Sequence, residues 1–166
     1  MGEVGGGTGL AGKPRSGALT GMDRRLRPVG IIRSRLKARA EAPRQGGEGA
    51  PDAWLEVRRR MTGALEGIAV GDEIIVITWL HRARRDVLKV HPRGDKRRAL
   101  AGVFATRSPD RPNPLGLHPV TVKKIAGNRL RIGPIEAIDR TPVVDIKPVL
   151  RARPRSTQNS RNAQKK

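Results

Sequence analysis

Three prolines hold two arginines and an asparagine in place within the segment TRSPDRPNPLGL, residues 106–117. Pro109, Pro112 and Pro114 each fix a backbone φ, so Arg107, Arg111 and Asn113 stand ready for an anionic or amide-bearing ligand with little ordering left for binding. A stiff turn carrying solvated arginines accounts for the same residues equally well. A second segment, IDRTPVVDIKP at 138–148, reads as a strand with Val143, Asp145 and Lys147 on one face and Val144 and Ile146 on the other. Asp145 and Lys147 at that spacing are candidates for a site, or simply neutralise each other at a barrel mouth. Two shorter groups are Pro43, Arg44 and Gln45 before a Gly-rich loop, and Trp79, Leu80, His81 and Arg82 at the end of the most apolar stretch.

Other patterns carry less. The run at residues 7–12, GTGLAG, has dinucleotide-fold glycine spacing, and Lys13 nearly completes a phosphate loop. Such loops need a buried strand before them and a helix after them; only six residues precede this one, and Pro14 stands where Ser or Thr would hold a metal. His81, His91 and His118 show no ligand spacing, and the chain has no cysteine, so no metal site is expected. His91 and His118 are expected in loops, and Arg82, Arg84 and Arg85 as a solvated basic cluster.

Charge narrows the class of partner. The 166-residue chain carries a formal net charge of +20. Residues 1–28 hold five basic and two acidic side chains and residues 151–166 six basic and no acidic ones, which leaves +11 on 29–150. A field of that sign suits a polyanion, and nucleic acid is the natural one. The longest apolar run, 74–80, falls far short of the roughly 20 residues of a membrane span. With no secretion signal at the start, a soluble cytoplasmic protein is expected.

The elements follow from periodicity. Residues 1–28 and 151–166 read as disordered basic tails, with Met22 as the expected initiator, and 29–150 as one domain. Strands are predicted at 29–33, 74–80, 102–106, 120–125, 129–135 and 142–146, the second buried on both faces, with Gly127 and Asn128 turning a hairpin. Trp54, Val57, Met61, Leu65 and Ile68 recur at spacings of 3, 4, 4 and 3, which predicts an amphipathic helix capped by Asp52 and ending near Gly67 or Gly71. The architecture expected is mainly β: a small closed or nearly closed barrel of mixed strand pairing, with one amphipathic helix and an aliphatic core.

Taken in order, the proline-arginine-glutamine loop at 43–45, the tryptophan-leucine-histidine strand end at 79–81, GVFATRSPDRPNPLGL at 102–117 and TPVVDIKP at 141–148 resemble the TsaA-like family of tRNA adenosine N6-methyltransferases. The resemblance runs from about Val29 to Val149. It implies a β-barrel that binds S-adenosylmethionine, usually as a homodimer, and methylates N6 of a hypermodified, threonylcarbamoyl-bearing adenosine beside the tRNA anticodon. The cofactor contacts it implies are Pro43, Arg44, Gln45, His81, Arg82, Arg107, Leu117, Pro119, Asp139, Arg140, Thr141 and Pro142. Arg111, Asn113 and Lys147 are candidates for RNA contact.

The residue types suit that cofactor. Arg44 or Arg107 can pair with its carboxylate, Gln45 offers a two-sided amide, Asp139 can accept from hydroxyls or an amine, and the backbone of the 139–142 turn can read adenine. The sulfonium is a good leaving group, so alignment supplies much of the rate. If a base assists, Asp139, Asp145 and His81 are the candidates. The chain departs from its relatives at Arg140, where the family carries glycine, and at Val149, where it carries tyrosine; an arginine at positive φ implies strain of order 1 kcal/mol. Two other readings fit the fold: a non-catalytic RNA-binding barrel, and a methyltransferase for a small molecule. Net charge favours RNA over the latter, and the presence of both the 43–45 and 106–117 segments favours catalysis over the former.

Longer bacterial relatives carry a further domain where this chain has the basic tail, which is expected to replace part of those contacts electrostatically. Deleting residues 151–166 should weaken tRNA binding at physiological salt and flatten its salt dependence in filter-binding titrations. Unchanged affinity would remove the tail from the interface.

Overall fold

Alternating aliphatic residues build a closed barrel of six strands in this computed structural model, which describes residues 25–150. The glycine run at 7–12, Met22 and the segment 151–166 lie outside the described residues. In chain order the strands are β1 (Gly30–Arg33), β2 (Ala53–Val57), β3 (Glu73–Trp79), β4 (Lys89–Val90), β5 (Ala101–Gly102), β6 (Leu115–Ala126), β7 (Arg129–Gly133) and β8 (Pro142–Pro148). Round the barrel the order is β1-β2-β7-β6-β3-β8, with β8 pairing back to β1; β4 and β5 form a separate two-stranded ribbon.

Every pairing among the described strands is antiparallel, which corrects the expected mixed pairing. A parallel neighbour needs a crossover, usually a helix running back along the barrel. The long connections here, 34–52 and 80–114, instead stay at the end where they begin.

Inward faces supply an aliphatic core that includes Ile32, Leu55, Ile74, Val76, Val122, Leu130, Ile132 and Val143, plugged by Ile135 and Ala137. Burying such side chains contributes about 1.5–3 kcal/mol each before chain entropy is subtracted. The aromatics stay out of it. Trp54 and Trp79 lie half-buried on the outer wall, with the Arg129 and Arg85 guanidiniums 4.7 and 5.0 Å from their ring centroids.

Four expectations are corrected. The predicted helix is a strand in its first half: Ala53, Leu55 and Val57 point inward as β2, and only a 3-10 helix, Arg59–Leu65, follows. Trp54 and Val57 would share a helix face but face opposite ways on a strand, and the strand wins because pairing with β1 and β7 gives its backbone groups partners. Met61, Leu65 and Ile68 keep the helical spacing and pack against the core, while Asp52 pairs with Lys123 and Arg131 instead of capping. The predicted strand at 102–106 ends after Gly102, where a 3-10 turn, Val103–Ala105, takes over. β3 is buried on its inner face only, with Ile75, Ile77 and Trp79 half-buried outside. In β8 the pairing shifts between Ile77 and Thr78, so Val143 and Ile146 both face the core and only Asp145 and Lys147 remain outside. One extra residue reverses the alternation beyond it.

Antiparallel closure sorts the connections by end. The loops 34–52, 80–114 and 134–141 gather at one end. The 58–72 connection and the hairpin turn at Gly127 and Asn128 lie at the other, together with an apolar groove of about 830 Å³ lined by Val29, Met61, Leu65, Ile68, Ile146 and Val149 among others.

Closure itself runs through the turn before β8. Arg140 N donates to Ile32 O at 2.8 Å and Ile32 N to Thr141 O at 2.9 Å, and to reach this geometry Arg140 adopts φ 63°. A left-handed conformation costs an L-residue about 1–2 kcal/mol, against about 0.5–1 kcal/mol of extra chain entropy for glycine. Arg140→Gly should therefore raise stability by up to about 1 kcal/mol, seen as a few degrees in the thermal midpoint. A lower midpoint would show that the arginine side chain contributes a contact worth more than its strain.

Candidate functional site

The three loops at one end of the barrel carry nearly all the residues singled out by chemistry. Two sets of contacts organise them.

The first set surrounds Glu136. The loop 43–50 lies between two others: on one side Glu48 pairs with Arg93 at 2.8 Å, and the Arg44 guanidinium lies 4.0 Å from where a Cβ on Gly94 would stand. On its other side Gly46 presses so close to the 134–136 segment that a Cβ there would meet Pro134 O at 2.8 Å and Glu136 Oε2 at 3.3 Å. Glu136 Oε1 accepts from His118 Nδ1 at 2.9 Å, and His118 Nε2 lies 2.8 Å from Thr78 Oγ1 inside the barrel. With Nδ1 turned to the carboxylate, Nε2 faces the threonine hydroxyl. Burial works against the charged form of Glu136, but the hydrogen bond and charge of His118, with the charge of Arg107, hold its carboxyl below the ordinary range. The 43–46 loop thus packs against this carboxylate at Gly46, and the Arg107 charge acts on it.

The second set stitches residues 34–39 to their neighbours. Asp139 accepts from Ser34 N at 3.0 Å and pairs with Lys37 at 2.9 Å. The Lys37 hydrogen bond, opposed by slight burial and reinforced by Ser34 N, keeps the Asp139 carboxyl below its usual value. Arg82 donates to Lys37 O, and Arg39 donates to Arg82 O while pairing with Asp110 at 3.0 Å. Asp110 also accepts from Arg84 N at 2.8 Å.

His81 sits beside this lattice with its Nδ1 buried and without a hydrogen-bond partner. Burial first, then the Arg82 charge, lower its pKa, so the ring is neutral near pH 7. A buried ring nitrogen left unsatisfied is a place for a ligand group.

Other expected site residues fall differently. The Arg111 guanidinium donates to Ser108 O, Val103 O and Thr106 O, which makes it the clamp of its own loop. Asn113 is exposed and its carbonyl accepts from Leu115 N. The amides of Asp139, Arg140 and Thr141 donate to Leu36 O, Ile32 O and Ile138 O, so they are not available to a ligand; the Arg140 side chain is exposed. Leu117, Pro119, Asp145 and Lys147 are not at this end. They lie on the outer wall of β6, β3 and β8, where Leu117 and Asp145 flank Ile77, and Pro119 and Lys147 flank Ile75.

Sequence reasoning missed Glu136 and Thr78 and misplaced His118, which is on β6 and only 4% exposed. Pro119 concealed the strand. It is tolerated because β7 pairs with β6 only from Thr121 onward, so one edge of β6 has no described neighbour at Pro119. The available signal was alternation: Gly116, His118, Val120 and Val122 all share the inner face.

Comparison with known proteins identifies the family. The family described as the tRNA-methyltransferase O N-terminal domain matches residues 31–153. A probable S-adenosyl-L-methionine-binding protein of Methanothermobacter thermautotrophicus is 41% identical over 130 residues, covering 78% of this chain and 93% of its own. A protein of the same description from Methanocaldococcus jannaschii is 51% identical over 97 residues, covering 56% of this chain and 77% of its own. Among solved structures, TrmO from Pseudomonas aeruginosa is similar with a TM-score of 0.62 at 28% identity, covering 88% of this chain; this chain spans 62% of the length of that one.

Arg111→Lys should loosen the proline-stiffened loop, because a single ammonium cannot span three carbonyls as a guanidinium does. Amide exchange across 103–108 should speed at least tenfold with a stability loss of about 1–3 kcal/mol, while the barrel strands stay protected. Unchanged exchange at 104–108 would show that the prolines alone hold the loop.

Proposed function

Because the chain belongs to the tRNA-methyltransferase O N-terminal domain family, we propose that it is an S-adenosylmethionine-dependent methyltransferase acting on tRNA. Its target in this reading is N6 of the threonylcarbamoyl-adenosine beside the anticodon, and it works in the cytoplasm as a homodimer of the barrel domain 29–150. The observation that carries the reading is the gathering of the 43–46 loop, Arg107, His81 and the 139–142 turn at one barrel end.

The donors present suit the cofactor. Arg44 and Arg107 supply guanidiniums for its carboxylate, and the orphaned His81 Nδ1 supplies a partner for a hydroxyl or amine. Pro43 and Gln45 flank Arg44 on the same loop, and Arg82, Asp139, Arg140, Thr141 and Pro142 border the site from the other two. S-adenosylmethionine, when bound, supplies an electrophilic methyl on a good leaving group. The protein's part is then to orient it and the base: the lattice of Lys37, Arg39, Arg82, Asp110 and Asp139 fixes the loops that do so. Asp139 is tied to Lys37 and Asp145 to Lys147, so both suit positioning better than proton transfer. The exposed Arg140 and the charge of +20 suit the phosphates of tRNA.

Leu117 and Pro119 bear on assembly. They stand on an outer wall with Leu115, Ile75, Ile77 and Trp79, where Leu117 is 50% exposed. If these residues touch cofactor, as in the family, they do so across a dimer interface, where the wall of one protomer meets the loops of its partner. An exposed apolar wall favours such burial.

Calorimetric titration with S-adenosylmethionine, then methyl transfer to a tRNA pool with nucleoside analysis, tests the proposal. Saturable cofactor binding and N6-methylated threonylcarbamoyl-adenosine are expected, with Arg107→Ala weakening cofactor affinity about tenfold or more. Absence of cofactor binding would leave a non-catalytic RNA-binding barrel; transfer only to a small molecule would replace the substrate.

A further inference from the structure

We propose that Glu136, backed by His118 and Thr78, accepts the proton that leaves the attacking nitrogen during methyl transfer. The inference rests on the methyltransferase reading above and adds the base that reading lacks.

The geometry singles out Glu136. Its carboxylate stands where the two arginine-bearing segments meet, against Gly46 of one and within the field of Arg107 of the other. Its side chain is 23% exposed, so it reaches the surface of the site while its inner oxygen stays anchored. The anchor is built into the barrel. Thr78 is fully buried, His118 nearly so, and the two are joined by a hydrogen bond that passes over Gly116. A Cβ on Gly116 would lie 2.6 Å from both His118 Nε2 and Thr78 Oγ1, so only glycine leaves room for this contact. The other carboxylates weighed for this task are engaged by lysines, whereas the partner of Glu136 is an imidazole that can itself carry or yield a proton.

An N–H nitrogen that takes a methyl must lose its proton. The N–C bond forms as the C–S bond breaks with its electron pair retained by sulfur; the N–H electrons stay on nitrogen, and the proton passes to Glu136 and from there to solvent. Besides Thr78 behind the imidazole, the charged or titratable groups facing Glu136 are His118 from β6 and Arg107 from the loop before it, while the 43–50 loop presents Gly46. The His118 hydrogen bond and the Arg107 charge favour the ionised carboxylate, which is the form that accepts a proton.

The test compares wild type, Glu136→Gln, Glu136→Asp and His118→Gln in tRNA methylation and in calorimetric binding of S-adenosylmethionine and S-adenosylhomocysteine. Glu136→Gln should lower kcat at least 100-fold, in the range of general-base catalysis, and leave both affinities within threefold. Glu136→Asp should recover part of the rate. His118→Gln changes the hydrogen bond that holds the Glu136 carboxyl down, so the acid limb of its kcat–pH profile should move to higher pH. A Glu136→Gln rate within tenfold of wild type overturns the inference, as does a tenfold loss of cofactor affinity with kcat kept, since Glu136 would then be holding the cofactor. An unmoved acid limb in His118→Gln likewise overturns it. If wild-type protein binds cofactor but methylates no tRNA, the substrate reading falls and takes this inference with it; failure of the variants alone counts against the inference only.

Discussion

Closure between β1 and β8 is the constraint on which the rest depends. Ile32 and Val29 on one side, and Arg140, Thr141 and Val143 on the other, exchange the backbone hydrogen bonds that turn a curved sheet into a barrel. With the ring closed and every pairing antiparallel, the long connections have only two ends on which to lie, and three of them share one. Sites made of segments distant in sequence follow from this. Residues 43–46, 81–82, 107 and 134–142 need no mutual attraction to meet; the ladder delivers them. The strain held at Arg140 is small beside what closure secures, because an open barrel would leave two strand edges bare.

Much of this was legible in the sequence, for reasons that differ by element. β3 announces itself by a near-continuous apolar run and β7 by alternation and its hairpin turn, and the aliphatic core follows from a near absence of aromatics. Residues 53–57 misled because Trp54 and Val57 begin a helical spacing while Ala53, Leu55 and Val57 alternate as a strand, and only pairing partners, invisible to local patterning, choose between them. The displaced alternation in β8 is a bulge, and nothing in VVDIKP marks where one falls. Arg107 stands out as a candidate because the prolines after it leave a local signature, and Arg44 through the family resemblance. Glu136 was not: its importance comes from Gly46, His118 and Arg107, which are brought to it by three separate segments.

The outer wall divides the expected site residues into two groups for a geometric reason. Leu117 and Pro119 alternate with His118 and Val120 along β6, so the residues that line the barrel interior and those on its surface are sequence neighbours facing opposite ways. Within one protomer the wall and the loops therefore cannot both enclose the same ligand. The wall itself is apolar, with Leu115, Leu117 and the half-buried Ile75, Ile77 and Trp79 side by side.

The polar thread through the barrel is the remaining feature that stability does not explain. Thr78 and His118 occupy inward positions on strands whose other inward positions hold valine, isoleucine and glycine. A pair of aliphatic side chains there would avoid desolvating a hydroxyl and an imidazole, and apolar replacement of a buried polar network is often neutral or stabilising. The network is tolerated because each end is satisfied: the hydroxyl by the ring, the ring by the carboxylate, and the carboxylate by its position at the surface of the site. Removing any one member strands the others in a low-dielectric interior, so the three residues stand or fall together. Thr78 stands one residue from the end of β3, so their alignment runs from the barrel interior beside that end to Glu136 on the 134–141 loop, where a buried network can influence chemistry.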